Sequence, residues 1–180
     1  MSVLSQISLP LPGGVPVTLQ TFGAALVGYM LGAKKGAVSM AVYMLLGAAG
    51  APVFAGFHGG FGSVVGQSGG FIWGFIPMAF LCGAGTTAGK WLASGKPEGY
   101  RRVWFSHSAA IALGVLGMAA CHICGILQWS AINGGGFWSS FWAVSAPFLI
   151  KDVLSVGAAY FACEAVGKRI YLGSKNSRQV

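Results

Sequence analysis

Three long stretches of this chain, Met1 to Ala33, Gly36 to Gly89 and Val103 to Ile150, hold no Lys, Arg, Asp or Glu. A chain of 180 residues with 11 basic and 3 acidic side chains cannot cover a water-facing globule. Charged residues make up 8% here, against about 25% in an ordinary soluble domain. With 55% apolar residues and a mean hydropathy of +0.71, the chain reads as one whose solvent is a bilayer. Thirty glycines and six tryptophans fit that reading, because Gly is commoner in membrane helices and Trp gathers at membrane interfaces. The expectation is an all-α, polytopic membrane helix bundle forming a single integral membrane domain over residues 1–180.

The charge-free stretches and their breaks give a coarse map. Helices are expected over Thr18 to Leu31, Ala37 to Ala49, Phe71 to Lys90 with a bend near Pro77, and Val103 to Leu127. Phe137 to Ser145 reads as a short outer segment, and Phe148 to Lys168 as the last span, with Pro147 dividing the two. The first two helices are each about 20 Å long, shorter than a hydrocarbon core of about 30 Å, so they must continue into flanking segments. Between them and the third helix lies Gly50 to Gly70, with eight glycines interleaved with Val53, Phe54, Phe57, Phe61 and Val64. Irregular backbone at membrane depth is tolerated where protein buries it or it lines a cavity. This segment is therefore expected to be a re-entrant or capping loop.

Five spans place successive connections on alternating sides. Ten of the eleven basic residues then fall on one side: Lys34, Lys35, Lys90, Lys96, Arg101, Arg102, Lys168, Arg169, Lys175 and Arg178. The opposite connections, Gly50 to Gly70 and Gln128 to Gly136, carry none, which satisfies the positive-inside rule and puts the C-terminus in the cytoplasm. That the net charge of +8 is gathered in these bursts argues against a nucleic-acid surface.

Ionisable groups inside spans are costly and point to function. Glu164 lies four residues before Lys168 and reads as an interfacial ion pair. Asp152, about 18 Å further out along the same helix, should face the bundle interior and a partner or substrate. Lys151 is not expected to be its same-face mate, since consecutive helix positions diverge, and it either faces the ligand or snorkels to the outer interface. Cys121-His122-Ile123-Cys124 lacks the order for haem attachment and the further ligands zinc needs, so it reads as buried thiols beside a helix-end His. Cys82 and Cys163 read as small fillers, and His58 and His107 as pocket or surface residues. Gly28 to Gly32 and Gly85 to Gly89 suit small-xxx-small helix contacts. No nucleophile and base, phosphate loop or carboxylate pair can be assembled, so no enzyme activity, cofactor or metal is expected.

The run Ile7-Ser8-Leu9-Pro10-Leu11-Pro12-Gly13-Gly14-Val15-Pro16-Val17-Thr18-Leu19-Gln20-Thr21-Phe22 closely resembles the BioY biotin transporters, the substrate-capture components of energy-coupling-factor (ECF) importers. So do Gly47-Ala48-Ala49-Gly50-Ala51-Pro52-Val53-Phe54-Ala55-Gly56, Gly69-Gly70-Phe71, and Pro147-Phe148-Leu149-Ile150 followed by Asp152. The resemblance covers nearly the whole chain. It implies a membrane S component that captures biotin from outside and works with a transmembrane coupling subunit and two ATPases, which would hydrolyse the ATP.

Biotin carries a ureido ring with two N–H donors and a carbonyl, an apolar thioether ring and chain, and a carboxylate. Asp152 matches the family's acidic position and is the expected acceptor for the N–H edge. Thr18, Gln20 and Thr21 offer neutral polar groups, and Phe54, Gly56, Gly70 and Phe71 an apolar wall, with helix capping and core packing as the alternative roles. The chain departs from the family pattern in two places. A basic residue commonly stands three positions after the acid, where this chain has Ser155, leaving Lys151 or neutral donors to hold the carboxylate. The family fold has six helices and this chain begins at the end of the first, so Met1 is expected to be an internal start. A carrier for a different vitamin and a non-transporting membrane scaffold are the competing readings.

Overall fold

The computed structural model describes residues 1–9, 15–94 and 100–176, with the backbone alone for 100–103 and 168–176. A short helix α1 (Ser2–Gln6) leads into a two-stranded hairpin, β1 (Ser8–Leu9) and β2 (Val17–Thr18), antiparallel with Ser8 opposite Thr18. Six further helices follow: α2 (Gln20–Leu31), α3 (Ala33–Ala48), the short α4 (Phe61–Val65), α5 (Gly69–Ser94), α6 (Tyr100–Asn133) and α7 (Phe137–Val144). The last helix, α8 (Leu149–Asn176), follows a 3-10 turn over Ala146–Phe148. The helices form because an apolar environment obliges each backbone N–H and C=O to find its partner inside its own segment.

Three segments are long and apolar enough to cross a membrane, Gly69–Ser94, Trp104–Asn133 and Phe137–Gly167, among the described residues. At 12 and 16 residues, α2 and α3 run about 18 and 24 Å. As expected, they fall short of a full crossing and continue into the hairpin and the Gly-rich loop.

Several boundaries differ from the sequence expectation. Only Gly32 separates α2 from α3, and its φ of 80° is the left-handed conformation that lets the chain reverse. Lys34 and Lys35 therefore sit in the first turn of α3 and not in a loop. Gly28 packs on α5, where an added Cβ would meet the Ala79 carbonyl oxygen, whereas Gly32 makes a turn. The helix α5 continues through Pro77. The fourth span runs six residues beyond Leu127, and Gly134, with φ of 70°, follows it. The hairpin escaped the sequence reading, because two-residue strands leave no periodicity to detect. Residues 10–14 and the expected Glu164–Lys168 ion pair lie outside what the structure describes.

The bundle's main seam is α5 against α6, antiparallel. Gly70 sits on Cys124, Gly74 on Cys121, Met78 on Gly117, Gly85 on Ala110 and Gly89 on Ser106, a register kept over the whole contact. At each of these glycines an added Cβ would press on a backbone atom of the facing helix, least closely at Gly117. Lipid tails are as apolar as the helix faces, so close backbone approach is a main source of cohesion here. The core beneath holds Ala24, Ala25, Tyr29, Met78, Ala79, Cys82, Met118 and Tyr160. The starts of α2, α5 and α8 and the end of α6 gather at one pole, and the three described lysines of the basic bursts lie toward the other.

Candidate substrate-binding site

At the pole away from the lysines the bundle encloses a cavity of about 490 Å³. This lies in the range of small-molecule pockets, about 300 to 1,000 Å³. The hairpin, α2, the Gly-rich loop, α5 and α8 each contribute to its wall. Phe54, Phe71, Phe75 and Phe148 supply the apolar surface, and Thr18, Gln20, Thr21, Lys151 and Asp152 the polar one.

The Gly-rich loop forms the roof as expected. Phe54, Ala55, Gly56, His58, Ser63 and Gly66 all face the cavity. The turn over Ala55–Phe57 holds two consecutive left-handed residues, Gly56 at φ 66° and Phe57 at φ 58°. Such a conformation costs about 1 kcal/mol or more at a non-Gly residue and needs outside support. Gln6 supplies it. Its side-chain oxygen accepts the Phe57 N–H at 2.8 Å, and its side-chain nitrogen donates to the Phe54 carbonyl at 3.0 Å. The hydroxyls of Ser5 (2.7 Å) and Tyr43 (2.8 Å) both donate to the Val53 carbonyl. The Phe54 ring lies over Gly47, filling the place of a Cβ there.

Asp152 is 4% exposed, at the start of α8. Its Oδ2 meets His122 Nε2 at 3.2 Å, and the other ring nitrogen of His122 meets the Ser145 hydroxyl at 2.7 Å. Its Oδ1 is buried and forms an ion pair with Lys151 Nζ at 2.5 Å. Lys151 Nζ also donates to the Thr18 carbonyl at 2.8 Å. This corrects two expectations. Lys151 does pair with its neighbour Asp152, because its four-carbon stem reaches across the first turn of α8, which no Cβ-direction rule anticipates. It does not snorkel outward. His122 is likewise not a helix-end residue: it lies well inside α6, buried, with both ring nitrogens partnered.

Gln20 bridges two elements: its side-chain oxygen accepts from the Thr18 hydroxyl at 3.0 Å, and its nitrogen donates to the Tyr43 hydroxyl at 3.0 Å. One N–H of that amide is left over, as is one of the three on Lys151. Of the residues singled out from sequence, Thr18, Gln20, Thr21, Phe54, Gly56, Phe71, Lys151 and Asp152 reach the wall together. Ser155 and Gly70 do not. Ser155 is buried about one turn deeper along α8, and Gly70 is taken up by the α5–α6 seam. The sequence reading missed Ser8, Val15, Pro16, Phe75 and Phe148 on the wall and His122 behind it. His122 carried a usable signal, a polar group mid-span in a charge-free stretch. No group of three or more metal-ligating side chains occurs among the described residues.

In chemical terms the site is a partly aromatic slot with a carboxylate–ammonium pair in its wall and two spare N–H donors nearby. Residues 1–171 match the BioY family. A probable biotin transporter BioY from Pyrococcus horikoshii is 33% identical over 163 residues, covering 91% of this chain and 86% of that protein. The biotin transporter BioY of Rhodobacter capsulatus is 34% identical, covering 83% and 77%. That of Thermotoga maritima is 44% identical over 110 residues, a match spanning 59% of that protein. The crystal structure of the S component for biotin from an ECF-type ABC transporter superposes with a TM-score of 0.77 at 22% identity, covering 93% of this chain and 84% of the other, and so shares its fold. With apolar helices built for a bilayer and a family profile matched almost end to end, the chain is a multi-pass membrane protein that belongs to the BioY family.

Proposed function

We propose that this chain is the biotin-binding S component of an ECF-type importer, capturing biotin in the roofed cavity from the extracytoplasmic side. The carrying observation is the Asp152 carboxylate, paired with Lys151, at a cavity wall that also carries four Phe rings. In this reading the Asp152–Lys151 pair meets the ureido edge, the carboxylate accepting an N–H and the spare N–H of Gln20 or Lys151 donating to the carbonyl, while Phe54, Phe71, Phe75 and Phe148 pack on the bicycle and chain. It is not an enzyme. Transport would rely on a transmembrane coupling subunit and two ATPases that hydrolyse the ATP. With basic bursts facing the cytoplasm, five spans set the cavity outside and the C-terminus inside. The surrounding partner is membrane lipid.

The ion pair also bears on the carboxylate of biotin. Lys151 Nζ is 2.5 Å from Asp152, so both belong to the ureido end. The carboxylate, a whole side chain away, points to the roof, where His58, Ser63 and Ser68 are available. Lys151→Ala is therefore expected to weaken biotin and biotin amide by the same factor. A loss confined to the free acid would place Lys151 at the carboxylate instead.

Saturable binding of labelled biotin to the detergent-purified protein, undiminished by excess of other vitamins, tests the function. Displacement by another vitamin would reassign the ligand, and no binding at all would favour a scaffold. The roof provides a second check. Biotin is expected to slow proteolysis within Gly50 to Gly70 severalfold, and Gln6→Ala to speed it in the ligand-free protein by releasing the Phe57 turn. Cleavage rates indifferent to biotin would remove the roof from the capture step.

A further inference from the structure

Ser145, His122 and Asp152 form a continuous hydrogen-bonded chain behind the cavity, with exposures of 0, 5 and 4%. A carboxylate only accepts, so Nε2 of His122 must carry the proton shared with Oδ2, and in the neutral imidazole Nδ1 then accepts from the Ser145 hydroxyl. With His122 neutral, the Lys151 ammonium and the Asp152 carboxylate cancel and the buried group carries no net charge. Packing alone does not call for this arrangement, since an apolar side chain of similar volume would fill the space without desolvating a ring nitrogen.

We propose that Ser145 and His122 act as a strut that fixes the plane of the Asp152 carboxylate, tying down Oδ2 while Lys151 holds Oδ1, so that the acid at the cavity wall is oriented to accept a ligand N–H. His122 is thus a positioning residue. It does not line the cavity itself but touches Phe71, which does, edge-on at 5.8 Å between ring centres. Ser145 is held in turn by its backbone: its N–H donates to the Phe141 carbonyl at 3.0 Å, and its carbonyl accepts from Phe148 at 3.0 Å. The short break between α7 and α8 thereby sets the ring, and the ring sets the acid. Without the strut the carboxylate is free to turn both oxygens toward Lys151, and the ligand must reorder it on binding.

This inference rests on Asp152 as the N–H acceptor, and a double-mutant cycle separates the two claims. The readout is the biotin dissociation constant of purified full-length protein, with a ligand-free melting curve for each variant. His122→Leu is expected to weaken binding about tenfold, and His122→Gln, whose amide N–H reaches the same oxygen, to recover most of that. In an Asp152→Asn background, His122→Leu should cost less than threefold. Ser145→Ala runs the same cycle with a smaller deletion should His122→Leu fail to fold. A biotin analogue methylated on a ureido nitrogen adds a readout that loss of packing would not move: the preference for biotin over it should shrink in His122→Leu. Equal losses in both backgrounds, or an unshifted preference, overturn the strut. If Asp152→Asn alone binds normally, the acceptor assignment itself fails.

Discussion

Asp152→Asn is expected to weaken biotin binding by ten- to a hundredfold in equilibrium titration, with the ligand-free protein still folded. A hydrogen bond to a charged group contributes about 1.5 to 3 kcal/mol, which converts to that range. The substitution keeps the shape of the side chain. It removes the anion that Lys151 meets at 2.5 Å and His122 at 3.2 Å, and it replaces one acceptor oxygen with a donor that confronts the ureido N–H. The ammonium of Lys151, still held by the Thr18 carbonyl, loses its counter-charge. Part of the loss therefore comes from a strained ligand-free site. Raising the salt concentration should not restore binding, since what is lost is an acceptor oxygen that ions in solution do not replace. A dissociation constant unaltered by the substitution would remove Asp152 from the site.

Gly70→Ala is expected to destabilise the ligand-free protein by about 1 to 3 kcal/mol, read as a lower melting temperature in detergent. The added Cβ would lie 2.3 Å from the Cys124 carbonyl oxygen and 2.9 Å from Gln128 Cβ, so α5 and α6 must part. Backbone cannot rotate away as a side-chain tip does. Gly74→Ala, against the Cα of Cys121 at 2.6 Å, should behave alike and serves as the companion test. The outcome distinguishes packing from ligand contact at a position the family motif places beside Phe71. If Gly70 touched biotin, the ligand-free melt would be unchanged and only the stabilisation by biotin would shrink.

Much of this was legible in the chain because bilayer constraints are one-dimensional. Charge-free lengths and basic bursts mark α5, α6 and α8, and the cost of a carboxylate within a span marks Asp152 without any knowledge of its neighbours. The glycines of 50–70 announce a roof because no regular span tolerates so many. Other features depend on distances between elements remote in sequence. His122 looked like half of a weak metal motif until α6 packed against α8 and brought it to Asp152, 30 residues away. Gly70 belonged to a ligand motif by its position beside Phe71, yet the register of α5 on α6 turns it into the seam while Phe71 turns into the cavity.

The sequence by itself thus determined the solvent, the class of fold, the charged pole and the acid at the opposite one, because the hydrophobic effect and the burial cost of charge act residue by residue. Only the tertiary structure decided that Lys151 reaches its own neighbour, that Gln6 props the Phe57 turn and that Ser145 and His122 stand behind Asp152. Those are directional contacts a few ångströms long, and their partners are chosen by how helices pack, which no local pattern encodes.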